Sequence, residues 1–244
     1  MRRYLLLMVL LGAFTIQSEA QLFRVNAISG LGQPFNTFSK EQFGYSNIKY
    51  MQDFPISFDI GGEIEYSRAD NWVASLGVFY SYHDFYTNFS YTEGSKTTTV
   101  NLGNDYDGTR IDLKIGYVFR GYKWDYTPSI GLAMMPKGAD YSSHYGAYSI
   151  IDESNPEENI YRQSFEGGRA WPSQSSFIFS NQLYYNITPY IGLILDAELM
   201  YFGKLNLNAP INIPNARSYN VMLQAGFSFR FGHRWMKAVE QKEN

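Results

Sequence analysis

From Tyr219 to Phe231 every second residue is apolar: Tyr219, Val221, Leu223, Ala225, Phe227, Phe229 and Phe231. The residues between them are Asn220, Met222, Gln224, Gly226, Ser228 and Arg230. Side chains of a strand alternate between its two faces. The pattern therefore predicts a strand of about 13 residues with one greasy and one mostly polar face. A water-soluble barrel hides the greasy face, and a membrane barrel shows it to lipid. Function depends on which of the two applies.

The same alternation recurs along the chain, bounded by Gly, Pro, Asn and Asp. It predicts eight strands, over roughly Leu22–Ser29, Pro55–Arg68, Trp72–Tyr86, Thr109–Arg120, Asp125–Met135, Ser175–Ile187, Tyr190–Phe202 and Arg217–Phe231. No long helical periodicity follows residue 20. Three connections are tight hairpins, at Ala69–Asn71, Gly121–Trp124 and Thr188–Pro189. The others, roughly 30–54, 87–108, 136–174 and 203–216, are long. Short and long alternate throughout, which places all short turns at one end of an up-and-down barrel.

The first twenty residues, MRRYLLLMVLLGAFTIQSEA, combine two arginines with an apolar run from Tyr4 to Phe14. Small residues at Ser18 and Ala20 fit a signal-peptide cleavage site before Gln21. The run is too short to span a bilayer. The expected organisation is a cleaved leader over 1–20, exported through the Sec route, a barrel over 21–231 and a polar tail over 232–244. With no cysteine, neither disulfides nor thiolate metal sites can form. His83, His144 and His233 lie far apart in sequence. A formal charge of -3 gives no reason to expect nucleic acid as a partner. No cofactor is indicated.

Three observations turn the greasy face outward. Several strands run 12 to 15 residues, long enough to cross a bilayer when tilted. Aromatics make up 18% of the chain, with 21 Tyr and 18 Phe, and on the greasy face they gather at strand ends. Tyr66, Trp72, Tyr117, Phe119, Tyr126, Phe229 and Phe231 would form a girdle at the short-turn end. Phe58, Tyr80, Tyr82, Phe177, Tyr201 and Tyr219 would form a second at the other end. Two aromatic belts around an aliphatic band are what a bilayer selects. The opposite face carries Arg24, Asp59, Glu63, Glu65, Arg110, Asp112, Lys114, Arg120, Asp196, Glu198, Gln224 and Arg230, with small residues such as Ser57, Gly61, Ser75 and Gly77. Six acids then face five bases in a narrow interior, where charges must be paired. Eight strands leave no room for a water-filled pore, so the expected lumen is plugged.

With its signal peptide, eight-strand layout and aromatic-ended last strand, the chain resembles the eight-stranded outer-membrane β-barrel families of the OmpA-transmembrane, OmpX and OmpW kind. It looks most similar to the Bacteroidetes outer membrane β-barrel group, which includes PorT-like proteins. The resemblance spans 21–231 as a pattern, without a specific motif. It implies an all-β, eight-stranded antiparallel transmembrane barrel in the outer membrane, in contact with its lipid and lipopolysaccharide and with the barrel-insertion machinery. One departure concerns that machinery. Thirteen residues, GHRWMKAVEQKEN, follow Phe231, so an insertion signal at Phe227–Phe231 would be internal.

Candidate chemistry is sparse. In YSYHDFY (80–86), Ser81 and His83 share the polar face, similar in type to the Ser/His/Glu set of outer-membrane lipid deacylases. Those enzymes present the set to lipid, whereas parity points Ser81 and His83 inward, so a solitary histidine is the better reading. NDYDGTRID (104–112) has the look of a calcium loop. Aligned on Gly108, however, it puts Gly103 and Lys114 at positions that need carboxylates, and it reads as a turn. The sequons at Asn88 and Asn186 are coincidental for a bacterial export route. Loop 136–174, with Asp152, Glu153, Glu157, Glu158 and FEGGRAWP, is too long for a mere connection. It is expected to be flexible and partly ordered, and is the candidate contact for an extracellular or envelope partner. The favoured function is a non-enzymatic structural, adhesive or envelope-assembly protein. A lipid A-modifying hydrolase and a soluble lipocalin-like carrier are the alternatives.

Overall fold

The computed structural model describes residues 22–38, 49–51, 56–67, 71–135, 145–166, 175–205 and 216–231. Twelve strands form one sheet: β1 (Leu22–Phe38), β2 (Lys49–Met51), β3 (Ser57–Ser67), β4 (Trp72–Glu93), β5 (Lys96–Tyr117), β6 (Phe119–Arg120), β7 (Trp124–Met134), β8 (Tyr145–Asp152), β9 (Ile160–Glu166), β10 (Ser175–Asn186), β11 (Ile191–Leu205) and β12 (Ala216–Phe231). Among the described residues the one helical element is a 3₁₀ turn at Pro156–Glu158.

Eight of these strands close on themselves. Antiparallel ladders run β3–β1–β12–β11–β10–β7–β5–β4 and back to β3. Closure removes every free edge from the wall. The seam joins chain beginning to chain end, with Phe23 opposite Phe231 and Thr37 opposite Arg217. The three tight turns fall at one end. In the first, Asn71 takes φ +68°, a left-handed conformation that asparagine tolerates better than bulky residues. Its carbonyl accepts from the Val118 N–H at 2.9 Å.

Two expectations need correction at the opposite end. The segment 87–108 is not a loop. β4 and β5 continue through it in unbroken register from Trp72–Tyr117 to Glu93–Lys96, and they turn at Gly94, whose φ of +61° suits glycine. NDYDGTRID lies inside β5 and not in a turn. The expected connection 30–54 likewise contains a strand, β2, which pairs with β4, and the partly ordered segment 136–174 holds β8, paired with β5, and β9, paired with β8. The barrel therefore carries a sheet extension above its long-loop rim. β1 also runs nine residues past its expected end at Ser29, to Phe38. The expected leader, the tail 232–244 and much of FEGGRAWP lie outside the described residues.

Burial alternates along the wall strands in the sense opposite to a soluble protein. On β12, Val221, Leu223, Phe227, Phe229 and Phe231 are exposed, while Ser218, Asn220, Gln224, Ser228 and Arg230 are buried. β11 repeats this from Ile191 to Met200, and β4 from Trp72 to His83. The lumen is not wholly polar. Phe79, Ile28, Tyr184 and Ile194 fill one level, and Ala133, Met135, Ile178, Met200, Phe202 and Met222 another. Phe79 fits because its neighbours lack side chains. A Cβ on Gly61 would fall 2.6 Å from the Phe79 Cα, and one on Gly77 would fall 2.5 Å from its ring.

Candidate functional site

Three carboxylates on β3 organise the charged interior. Alternation sets Asp59, Glu63 and Glu65 on the inner face, and each meets a cation from another strand. Nearest the short turns, Arg24 Nη1 donates to Glu65 Oε1 at 2.6 Å and Nη2 donates to Asp125. The Arg24 guanidinium also lies 4.2 Å from the Tyr184 ring centroid, a favourable cation–π stack. The Tyr184 hydroxyl donates to Glu65 Oε2 at 2.8 Å.

Further up, Lys114 Nζ pairs with Glu63 Oε2 at 2.6 Å and with Asp196 Oδ2 at 3.6 Å. The Gln182 amide donates to the same two carboxylates, at 3.0 and 3.1 Å. Ser180 Oγ donates to Asp196 at 2.8 Å. Toward the long-loop rim, Arg110 gathers Asp59 at 2.6 Å, Asp112 at 2.8 Å and Glu198 at 3.2 Å. It lies over Phe79, 4.7 Å from the ring centroid. Gln224 Nε2 donates to Asp59 at 3.2 Å.

Of the residues expected in this network, Arg24, Asp59, Glu63, Glu65, Arg110, Asp112, Lys114, Asp196, Glu198, Gln224 and Arg230 are buried inside the barrel. Arg120 is not. It is exposed on β6 and donates to Ser67 Oγ at the short-turn rim. Asp125 belongs to the network but was not expected there. It sits one residue after the tight turn, where alternation has too few residues to fix its phase. Among the described residues seven buried carboxylates thus meet four buried cations in the lumen. An ion taken out of water is stable only when paired and hydrogen-bonded, and the shared contacts of Arg110 and Lys114 meet that demand.

The residues expected in the girdles all lie on the outer face, exposed or half-buried. At the short-turn end Trp72 meets Tyr117, Tyr117 meets Phe119 and Phe119 meets Tyr126, with ring centroids 5.9, 5.1 and 6.1 Å apart. At the other end Tyr201 and Phe35 both pack on Tyr219, at 5.1 and 5.3 Å. Phe23, Phe35, Trp124 and Tyr185 join these rims as well. Between the rims the large exposed side chains are Val, Leu, Ile, Phe and Met. Lipid is the natural medium for such a surface.

Ser81 and His83 are fully buried inside the wall. His83 Nδ1 lies 2.9 Å from the Asn220 amide, and Nε2 lies 3.9 Å from Asp59. A substrate approaching from lipid or water cannot reach them, so they do not form a surface hydrolase site. No group of three or more His, Asp or Glu among the described residues could hold a metal ion.

Outside the barrel, Asp152 clasps the extension. Its Oδ1 accepts from Ser95 Oγ at 2.8 Å, Ser154 N at 2.9 Å and Ser154 Oγ at 2.7 Å. Lys96 Nζ lies 3.6 Å from Oδ2. The bonds from Ser154 and Ser95 hold its carboxyl down at about 2. Asp152 therefore ties β8 to the β4–β5 tip.

No family model matches the chain, and no curated protein matches it. Among solved structures it is similar to the outer membrane protein OprG from Pseudomonas aeruginosa, at 13% identity and TM-score 0.44, covering 88% of this chain and 97% of that one. It is also similar to Neisserial surface protein A, at 13% identity and TM-score 0.40, covering 86% and 97%. The outer membrane protease OmpT from Escherichia coli is similar at 9% identity and TM-score 0.33, covering 89% and 99%. At such distances the architecture rests on the strand ladder itself: a closed eight-stranded antiparallel barrel with its apolar face outward and its charges inward.

Proposed function

We propose that this chain is an integral outer-membrane β-barrel protein, reached by Sec export, with a plugged lumen and a structured extracellular sheet. The observation that carries this reading is the inverted polarity. Charged groups such as Arg110, Asp59 and Asp112 are wholly buried, while Leu223, Ile115, Phe227 and their neighbours are exposed around the wall. Exposing that apolar belt to water would be costly, whereas in lipid it is the stable arrangement. The same inversion removes the soluble carrier, whose apolar face must line a cavity.

The role is non-enzymatic: structural, adhesive or as a part of an envelope assembly. The interior is filled by Phe79, Tyr184, Met200 and Met222 as well as by paired charged side chains, so the barrel acts as an anchor and not a conduit. What it anchors is the extension of β2, β8, β9 and the outer halves of β4 and β5. That sheet is the surface offered to lipopolysaccharide or to an envelope partner through 136–174. Kinship with the Bacteroidetes barrel group belongs to the same proposal, supported by the leader-like N-terminus and the strand layout.

Fractionation tests the reading. The protein is expected in the membrane pellet, extractable by detergent and heat-modifiable in migration. Recovery in the soluble extract would overturn it. Lipid A from a deletion strain is expected to be unchanged in mass, and a changed lipid A would restore the hydrolase reading.

A further inference from the structure

Among the described residues the aromatic rim is broken beside Trp72 and Tyr117. Cross-strand register sorts the nearby outward residues into rows. Ile115, Ile130 and Phe179 form one row, and Phe119, Tyr126 and Leu183 form another, nearer the short turns. The row between begins with the pair Trp72 and Tyr117 but continues with the small residues Pro128 and Asn181. The result is a depression of about 360 Å³, walled by Trp72, Ile115, Tyr117, Ile130 and Phe179. Its floor includes Gly116, Pro128 and Ser129.

Two features of that middle row are unexpected in a barrel wall. Proline has no N–H for a ladder and is usually kept to edges or bulges. Pairing between β5 and β7 stops at Gly116–Ser129 and resumes in the same register at Phe119–Tyr126. Asn181 is a polar side chain on the outward face of β10, between Phe179 and Leu183, where an amide is costly unless partnered. Its Oδ1 accepts from the Tyr126 hydroxyl at 2.7 Å, and that orientation leaves its NH₂ group as the donor. An apolar trough thus borders an amide donor, at the height of the short-turn aromatic rim. Aromatic rims mark the headgroup level of a bilayer.

On the membrane reading above, we propose that this depression is a phospholipid site of the inner leaflet. One acyl chain fills the trough over Pro128, and an ester or phosphate oxygen of the same lipid accepts a hydrogen bond from the Asn181 amide. The short-turn end faces the periplasm in barrels of this layout, which assigns the leaflet. The chemistry selects an amphipathic lipid with an acceptor near its chains, and discriminates against a plain alkyl detergent.

The test is native mass spectrometry after reconstitution into nanodiscs of phosphatidylethanolamine and phosphatidylglycerol and mild detergent release. Wild-type protein is expected to retain one phospholipid per barrel. Asn181→Leu removes the donor and fills the trough, and Pro128→Ile fills it while returning a ladder N–H. Each is expected to lower that occupancy about tenfold, Asn181→Leu on the scale of one lost hydrogen bond with its contacts and Pro128→Ile by taking the volume of the acyl chain, with heat-modifiable migration intact. Should a variant fail to fold, the wild-type count still decides: no retained phospholipid, or a retained detergent in its place, overturns the site. Equal occupancy in folded variants also overturns it. A protein that inserts but retains no lipid refutes this inference alone, whereas a protein absent from membranes refutes the membrane reading beneath it.

Discussion

The wall of the barrel and the sheet above it share strands but not the rules that stabilise them. In the wall, β4 from Trp72 to His83 alternates strictly between exposed and buried, with the aliphatic and aromatic face outward and Ser75, Ser81 and His83 inward beside Val73 and Phe79. Beyond it the same strand buries Phe89 and Tyr91 while Glu93 is exposed. Phe89 and Tyr91 stack at 6.4 Å, and register places Phe89 opposite Val100 and Val100 opposite Tyr148. In the sheet above, the apolar groups are hidden, as water requires. One covalent strand thus follows lipid rules over one part of its length and aqueous rules over the other, and the change marks the membrane boundary along the chain.

Substitutions can break that comparison, and their effects should decline from the wall outward. Arg110→Met is expected to have the largest effect. It leaves Asp59, Asp112 and Glu198 without their shared cation, and breaking a buried ionic set from one side costs about 3–5 kcal/mol. Unfolding in urea from lipid vesicles measures it, and wild-type stability in this variant would show that the lumen network is not cohesive. Leu223→Arg follows, at about 2–4 kcal/mol or a block to insertion if the position meets mid-bilayer lipid. Free insertion of that variant would contradict the outward assignment of the whole face.

Asp152→Asn should leave urea unfolding of the wall unchanged, yet speed hydrogen exchange in 145–166, because its bonds hold only the extension. Acid sharpens the same contrast. The Asp152 carboxyl is held below its ordinary value, so the clasp is at full strength above pH of about 4. It is lost as pH falls through about 2. Exchange protection in 145–166 is expected to fade across that window. Arg120→Ala is expected to have the smallest effect, within about 0.5 kcal/mol, as an exposed rim residue. A cost as large as that of Arg110→Met would place Arg120 back in the network.

Much of the wall was legible because lipid imposes one rule at every height. Period-two alternation located all eight wall strands and put Asp59, Glu63 and Glu65 on one face. The same reasoning failed where its physical cause ended. Above the rim no face meets lipid, so 87–108 and 145–166 lose a regular apolar period and read as loops although they pair. Asp125 escaped because it stands at a strand start, and Arg120 was over-assigned because it stands at a strand end. The apolar level around Phe79 was hidden by its spacing. A single phenylalanine between Gly77 and Ser81 reads as an exception to a polar face, and only the cross-strand glycine Gly61 reveals a seat for it. The clasp at Asp152 depends on Ser95, far away in the chain, and no local pattern announces such a meeting.

The seam has a consequence for how the barrel comes apart. β1 and β12 hold the first and last described residues side by side, and Arg24 and Arg230 lie opposite each other there. Arg24 reaches past its own neighbours to Asp125 on β7. Peeling β1 would therefore leave Glu65 and Asp125 stranded in the remaining, open sheet. Opening should be all-or-none, with a high barrier set by the longest-range contacts in the chain. A barrel tied in this way persists by slow unfolding, and its lifetime in the membrane should outlast what its equilibrium stability alone suggests.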